Sequence, residues 1–321
     1  MIGRRTALGA ALALAAIRRA LAQGSPGQSI RIIVPYVAGG TTDLVGRMVA
    51  EGLAERLPRP IVVENRGGAS GMIGSEAVAR AAPDGLTLLL CSSAHAVLPE
   101  LYPNLSWDPL RDFAPVGPVA ATPYMLVVHP SLPVRSVAEL VAYAKANPGK
   151  LNFASTGMGT AQHLAGELLK RLAGIEMVHV SYRGSGAVKA DLLSGRINLM
   201  FENVALTVPM TERGEVRGLA VTSPQRTPLA PGLPTLAELG YAGAQIEGWF
   251  GLLAPARTPP EVVAPLNAAL NDWLRQPATA RRLAGLGARV LGGAPQDLAT
   301  IIRDERERWG RVIREANIRP E

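Results

Sequence analysis

Several kinds of chemistry depend on residues that this sequence has little of. Its 321 residues contain one cysteine, Cys91, which excludes a disulfide framework and a multi-cysteine metal site. In its strand-like apolar run that thiol reads as a small buried hydrophobe. The histidines His95, His129, His163 and His179 show neither His-x-His nor His-Glu-x-x-His spacing, so no metal centre and no zinc hydrolase is expected. Aromatic residues make up only 4%, too few for the stacking platforms of a nucleic-acid binder. Beyond the N-terminal segment no apolar run approaches the ~20 residues that span a bilayer. The phosphate and nucleophile signatures are missing too. Gly149-Lys150 is followed by Leu151 rather than Ser or Thr, and Gly157-x-Gly159 runs on to Gln162 where a dinucleotide fingerprint has Gly or Ala. No serine sits in a Gly-x-Ser-x-Gly elbow. No cofactor is expected.

What is present begins with a leader. Arg4 and Arg5 precede a short apolar run, Thr6 to Ile17, and Ala20-Leu21-Ala22 forms a small-x-small cleavage site before Gln23. Residues 1–22 therefore read as a signal peptide, with the mature chain exported to the periplasm. The paired arginines leave the Sec and twin-arginine routes both open. The leader carries four of the 33 basic residues and none of the 26 acidic ones, so the mature chain holds 29 against 26, a net charge of +3 rather than +7. That near balance gives no reason to expect a nucleic-acid partner. The basic cluster from Arg303 to Arg314 is interleaved with Asp304, Glu305 and Glu307, as on a solvated helix face.

With apolar residues at 48% and charged residues at 18%, a substantial core is available. Short apolar runs alternate with helical ones. Strands are expected at Ile30–Val34, Ile61–Val63 and Leu86–Leu90, with helices from about Thr42 to Leu57 and Met72 to Ala82. A second set starts at Met125–Val128 and includes strands at Leu151–Ala154, Met177–Val180, Ile197–Phe201 and Leu219–Thr222. Its helices are expected at Val137–Ala146, Ala161–Leu172 and Ala187–Leu193. A strand at Trp249–Leu253 leads into helices at Pro259–Leu274 and Ala278–Leu286, and a long helix from Pro295 closes the chain. This alternation predicts an α/β protein of two lobes, each a mostly parallel sheet flanked by helices, with a ligand cleft between them. The expected division is 23–124 for the first part of lobe 1, 125–224 for lobe 2 and 225–321 for the return into lobe 1.

Four loops share one composition: each follows a strand, combines Gly with Ser or Thr, and opens a helix. They are Gly39-Gly40-Thr41-Thr42-Asp43, Gly67-Gly68-Ala69-Ser70-Gly71, Ser155-Thr156-Gly157-Met158-Gly159-Thr160 and Gly184-Ser185-Gly186. Glycine lets backbone N–H groups approach a ligand, and a helix start adds unsatisfied donors and partial positive charge. Such loops suit a carboxylate or phosphate, although singly they also make ordinary turns and caps. Asp43 reads first as a helix first-turn residue. His95 and His163 fit helix starts or a cleft wall, and Tyr36, Tyr182 and Trp249 fit either core packing or cleft lining.

These residues also carry a resemblance. Pro35-Tyr36-x-x-Gly39-Gly40-x-x-Asp43, Glu64-Asn65-Arg66 before Gly68-Ala69-Ser70-Gly71, and Pro83-Asp84-Gly85-Leu86 belong to it. So do Asn152-Phe153-Ala154-Ser155-x-Gly157, Gln162-His163-Leu164, Tyr182-Arg183-Gly184 and Phe250-Gly251-Leu252-Leu253-Ala254-Pro255. In this order they resemble the periplasmic solute-binding proteins of tripartite tricarboxylate transporters, the Bug receptors, over essentially the whole mature chain. The chain departs from the family's pattern at Ser70, at Glu202 and at Gly186-Ala187. The resemblance implies a type II-like binding protein, not an enzyme, that closes on a small carboxylate and delivers it to integral membrane permease subunits, with the receptor itself a monomer. It also implies that the loop after the first strand and the Ser/Thr/Gly loop of the second lobe hold the carboxylate; with the loops and strand ends above, the expected ligand-binding residues are Tyr36, Gly39, Gly40, Thr41, Thr42, Asp43, Ala69, Ser70, Ser92, Ser93 and His95 in lobe 1. In lobe 2 they are Ser155, Thr156, Gly157, Thr160, Tyr182, Gly184, Glu202 and Asn203. An exported hydrolase or lyase using cleft acids, or a ligand-sensing subunit of a signalling system, are the competing readings.

The leader makes a direct prediction. Intact-mass measurement of periplasmic material should find a chain starting at Gln23; recovery of only full-length protein from the cytoplasm contradicts it.

Overall fold

The computed structural model describes residues 28–315 and 318–319; the leader expected at 1–22 lies outside the described residues. Lobe 1 begins with three parallel strands, β1 (Ile30–Val34), β2 (Ile61–Asn65) and β3 (Thr87–Ser92), in the order β2-β1-β3. β1 and β3 are buried on both faces and correspondingly apolar, Ile-Arg-Ile-Ile-Val and Thr-Leu-Leu-Leu-Cys-Ser. The connecting helices α1 (Thr41–Ala54) and α2 (Met72–Ala79) lie on opposite faces, packed into separate apolar clusters. A short helix α3 (Ala94–Leu101) follows β3.

β4 (Phe113–Val128) organises the rest. Its first part, Phe113 to Pro123, pairs antiparallel with β9 (Glu247–Pro255), which itself pairs with β3. Ala120 and Ala121 also pair with the short β10 (Arg289–Val290). From Tyr124 onward the same strand joins lobe 2, pairing with β7 (Leu199–Asn203) and β8 (Arg217–Val221). β7 then continues to β5 (Leu151–Ser155) and β6 (Met177–Ser181), all parallel. Lobe 2 carries α4 (Val137–Ala146) and α5 (Ala161–Ala173) on one face, and α6 (Ser185–Leu193) and α7 (Val204–Glu212) on the other. Back in lobe 1 come α8 (Pro260–Leu274), α9 (Pro277–Gly285) and α10 (Pro295–Glu315).

The sequence expectation placed only residues 125–128 of β4 in a strand. The first part contains Pro115, Pro118 and Pro123, residues that cannot donate to a ladder. They are accommodated because the pairing with β9 shifts register between Pro115 and Gly117 and again between Pro118 and Ala120. The helices α3 and α7 were likewise absent from that expectation; each carries an internal proline, Pro99 and Pro209.

The chain crosses between lobes at Pro123–Tyr124 and returns between the end of β8 and the start of β9, after Leu236, Ala244 and Ile246 have packed into the core of lobe 2. The buried Thr222 ties the two crossings together. Its Oγ1 accepts from the Tyr124 N–H at 2.9 Å and donates to the Ile246 carbonyl at 2.7 Å, while its own N–H bonds the Tyr124 carbonyl at 2.9 Å. A third connection is apolar. In α10, Leu298 and Ile302 belong to a lobe 1 cluster, whereas Trp309 and Ile313 belong to the core of lobe 2. α3 divides in the same way, with Ala96 and Leu98 on one side and Val97 and Leu101 on the other. Among the described residues no helix is long and apolar enough to cross a membrane.

Thr222→Val keeps the shape of the side chain and removes both hydroxyl bonds. It should cost about 1–3 kcal/mol in denaturant unfolding, the penalty of a buried polar group left unpaired, and Thr222→Ser should recover most of it. Wild-type stability in the valine variant contradicts this account of the crossing.

Candidate functional site

Strand ends from both lobes converge on one cleft. Lobe 1 contributes Tyr36, Val37, Gly40, Thr41, Thr42, Ser92 and Ser93; lobe 2 contributes Thr156, Thr160, Ala161, Gln162, Gly184, Ser185 and Glu202; the crossing strands supply Tyr124, Gly248, Trp249 and Phe250. The enclosed volume is ≈ 60 Å³. No lysine or arginine lines it among the described residues.

Two helix starts provide its positive character. α1 opens at Gly40 and α6 at Gly184, and neither has a side-chain cap. Their first-turn N–H groups are therefore available to an anion, backed by the partial positive charge of the helix end. The two starts belong to opposite lobes yet nearly touch: a Cβ on Gly40 would lie 3.5 Å from Ser185 Oγ, and one on Gly184 (φ +133°) would strike Val37. Glycine is needed at Gly184 both for that backbone angle and for that approach. By contrast α5 is capped by Thr160, whose Oγ1 accepts from the His163 N–H.

Glu202 stands in this wall almost fully buried. Its Oε1 accepts from the Asn203 N–H at 2.7 Å. Gln162 also donates to its carboxylate. The orientation of Gln162 is fixed because its Oε1 accepts from the Thr156 N–H at 2.9 Å and from the Thr156 hydroxyl at 2.6 Å. Burial pushes the Glu202 carboxyl up to about 7, against the lowering effect of these two neutral donors. Tyr124 faces the same space, its phenol pushed well up by burial and then by the nearby Glu202 charge. Gly248 makes room for that phenol, since a Cβ there would collide with the Tyr124 hydroxyl. The Tyr36 hydroxyl lies 2.9 Å from Ser92 Oγ and 3.4 Å from the Ser70 carbonyl oxygen, and burial raises it to about 12.

The other expected residues sit around the cleft rather than in its wall. Asp43 is buried under the first loop, where it accepts from the Gly39 N–H at 2.9 Å, Arg47 at 3.1 Å and Asn65 at 2.9 Å. Burial opposes its ionisation, but these donors outweigh it and hold the carboxyl below the usual range. Gly39 is thus part of the loop's own bracing. Ala69 and Ser70 adopt positive φ, +47° and +55°, and Ser70 abuts the opposite lobe: a Cβ on Gly157 would lie 2.7 Å from its Oγ. Ser155 is fully buried and bonded to His179 Nε2 at 2.7 Å. Tyr182 donates to Asp191 at 2.7 Å. Asn203 caps α7 and donates to Thr122 Oγ1 at 2.6 Å, beside the crossing. His95 lies away from the cleft, stacked on Trp107 at 4.8 Å and edge-on to Phe113 at 4.7 Å; burial pushes its pKa down to about 4.

Tyr124 and Gly248 escaped the sequence reading because both sit in the crossing, at or before strand starts that the sequence placed too late. Val37 carries no signal of its own. Trp249 stands between the cleft and a groove of ≈ 490 Å³ behind the crossing strands. No group of three or more His, Cys, Asp or Glu side chains suited to a metal occurs among the described residues.

The family model described as tripartite tricarboxylate transporter family receptor matches residues 45–318. The chain belongs to this receptor family. Among its relatives is protein BugT of Bordetella pertussis, 38% identical over 292 residues that cover 90% of each chain. Two solved receptors are similar throughout. R. palustris Rpa4515 with adipate is 37% identical with TM-score 0.88, covering 92% of this chain and 99% of its own. The periplasmic binding protein BugD is 35% identical with TM-score 0.87, covering 92% and 100%. The family's fold of two α/β lobes around a cleft is the architecture found here, as the sequence implied.

Glu202 also makes the receptor's stability pH-dependent. Its folded value of about 7 lies above the ordinary 4.5, so the folded state binds more protons than the unfolded state between them. The stability it contributes is full below 4.5 and is lost as pH rises through 7. Glu202→Gln lacks this loss. Its melting temperature should gain on the wild type as pH rises from about 5 to about 8; parallel curves contradict the assignment.

Proposed function

We propose that this receptor binds a small carboxylate between its lobes in the periplasm and delivers it to integral membrane permease subunits of a tripartite tricarboxylate-type transporter, acting as an exported monomer. The observation that carries this reading is the meeting of two uncapped helix starts, at Gly40 and Gly184, across a cleft whose lining includes no cationic side chain among the described residues. Such a site holds an anion by backbone N–H groups and helix dipoles rather than by an ion pair. The adipate in a relative at 37% identity supports a carboxylate as the anion.

In this reading the backbone of Gly40, Thr41 and Thr42 from lobe 1 and of Gly184 and Ser185 from lobe 2 holds the carboxylate. The hydroxyls of Thr41, Thr42, Ser92 and Ser93, with Tyr36, complete the recognition, while the Thr156 and Thr160 hydroxyls brace Gln162 and the Gly157 carbonyl. Gly39, Asp43, Ala69, Ser70, Ser155, Gly157, Tyr182 and Asn203 act behind them by shaping the loops. The ligand bridges both lobes. Its binding energy is therefore the energy of closure.

Mass spectrometry of ligand released from natively purified protein, followed by titration calorimetry over a panel of mono-, di- and tricarboxylates, tests the reading. Hydrogen bonds to a charged group contribute roughly 1.5–3 kcal/mol each, and ~1.4 kcal/mol is tenfold in affinity. Gly40 has ordinary extended backbone, φ −84° and ψ 169°, so Gly40→Val should fold normally. Its branched side chain would fill the gap to Ser185 and should weaken binding at least about tenfold. Arg66, which pairs with Glu64 at 2.6 Å on the exposed surface, should tolerate Gln with little change. If Arg66→Gln abolishes binding and Gly40→Val does not, the site is a charge clamp and the reading is wrong.

A further inference from the structure

An acid has no evident place in a cleft built for an anion, yet Glu202 is the one acidic side chain in the wall among the described residues. It ends β7, and 7% of it is exposed. Every group facing it is uncharged or weakly acidic: the Asn203 N–H at 2.7 Å at the head of α7, the Gln162 amide from α5, and Tyr124 from β4, with Tyr36 of β1 beyond. Among the described residues no arginine or lysine lines the cleft to keep it ionised. The Gln162 amide has its oxygen held by Thr156, which turns its donor side toward the Glu202 carboxylate.

Glu202 shares the narrow cleft wall with the residues of both helix starts, Gly40 to Thr42 and Gly184 with Ser185, so an anion held by those starts lies near its carboxyl. Two carboxylates that close, in a site shielded from water, do not both stay ionised. The helix starts stabilise the charge of the incoming ligand, whereas nothing but neutral donors stabilises the charge of Glu202. The proton therefore settles on Glu202.

We propose that ligand capture and proton capture are one event in this receptor: Glu202 takes up one proton from solvent as a carboxylate enters the cleft, and the resulting acid donates a hydrogen bond inside the closed site. The inference rests on the carboxylate reading above. One O–H bond forms on Glu202, the proton comes from buffer, and it returns there on release. In this conformation burial already raises the Glu202 carboxyl toward neutral, so a second carboxylate beside it has little further displacement to supply. Glu202 then selects its ligands. It favours those that present an acceptor at this point, and it disfavours those that place an ammonium group there, which need the ionised form.

The probe is the carboxylate of the panel that gives the largest thermal shift at about pH 6. Titration calorimetry in phosphate and in Tris, between about pH 5.5 and about pH 8.5, measures protons taken up from the difference in heat between buffers. The wild type should take up close to one proton per ligand at the alkaline end. Its affinity should fall toward about tenfold per pH unit there. Glu202→Gln cannot take up the proton but keeps a donor, so its affinity should be nearly independent of pH and its heat independent of buffer. His163 and His179, both buried and shifted down, remain in that variant, so any slope it retains measures them. A pH-independent wild type, an equal slope in Glu202→Gln, or affinity that rises with pH overturns the inference and leaves the carboxylate reading standing. No binding by any carboxylate at any pH brings down that reading, and this inference with it.

Discussion

One strand holds both lobes. β4 enters as part of the lobe 1 sheet and leaves as part of the lobe 2 sheet, with no loop between Pro123 and Tyr124. Relative motion of the lobes has to be absorbed by twist in that strand and in the returning segment bonded to it through Thr222. The cleft is placed against this crossing, so Tyr124 and Gly248 belong at once to the joint and to the site wall. A ligand that engages both lobes therefore acts close to the axis about which they turn, where small displacements at the contact correspond to large ones at the rims.

The loops of the cleft were legible because their chemistry is local. Gly40 and Gly184 announce uncapped helix starts by composition alone, and the alternation of apolar runs shows which loops follow strands. The strand-end hydroxyls Ser92 and Ser93 follow from the same logic. The crossing was not legible. Three prolines and a glycine in the first part of β4 argue against a strand in isolation, and only the register shifts opposite β9 reconcile them with pairing. Residues such as His95 and Ser155 looked alike in sequence, each a polar residue next to a Gly/Ser loop. Burial among Trp107 and Phe113, or against His179, is decided by side chains distant in the chain.

Within the cleft, positive character and negative charge come from different kinds of group. Two uncapped helix starts and one buried acid share the wall, and no lysine or arginine lines it among the described residues. Dipoles of the backbone are already oriented when the ligand arrives, so little reorganisation opposes binding.

The last helix has a consequence for how the molecule is made. Trp309 and Ile313 fill the core of lobe 2 beside residues such as Phe153 and Leu164, although lobe 2's own strands and helices end long before them in the chain. A nascent chain lacking its C-terminal turns would leave lobe 2 with a hole where a tryptophan belongs, which is among the costliest of core defects. Neither lobe is then a finished folding unit until synthesis is complete. The sequence information that locks the structure arrives last, so both lobes reach their final packing together.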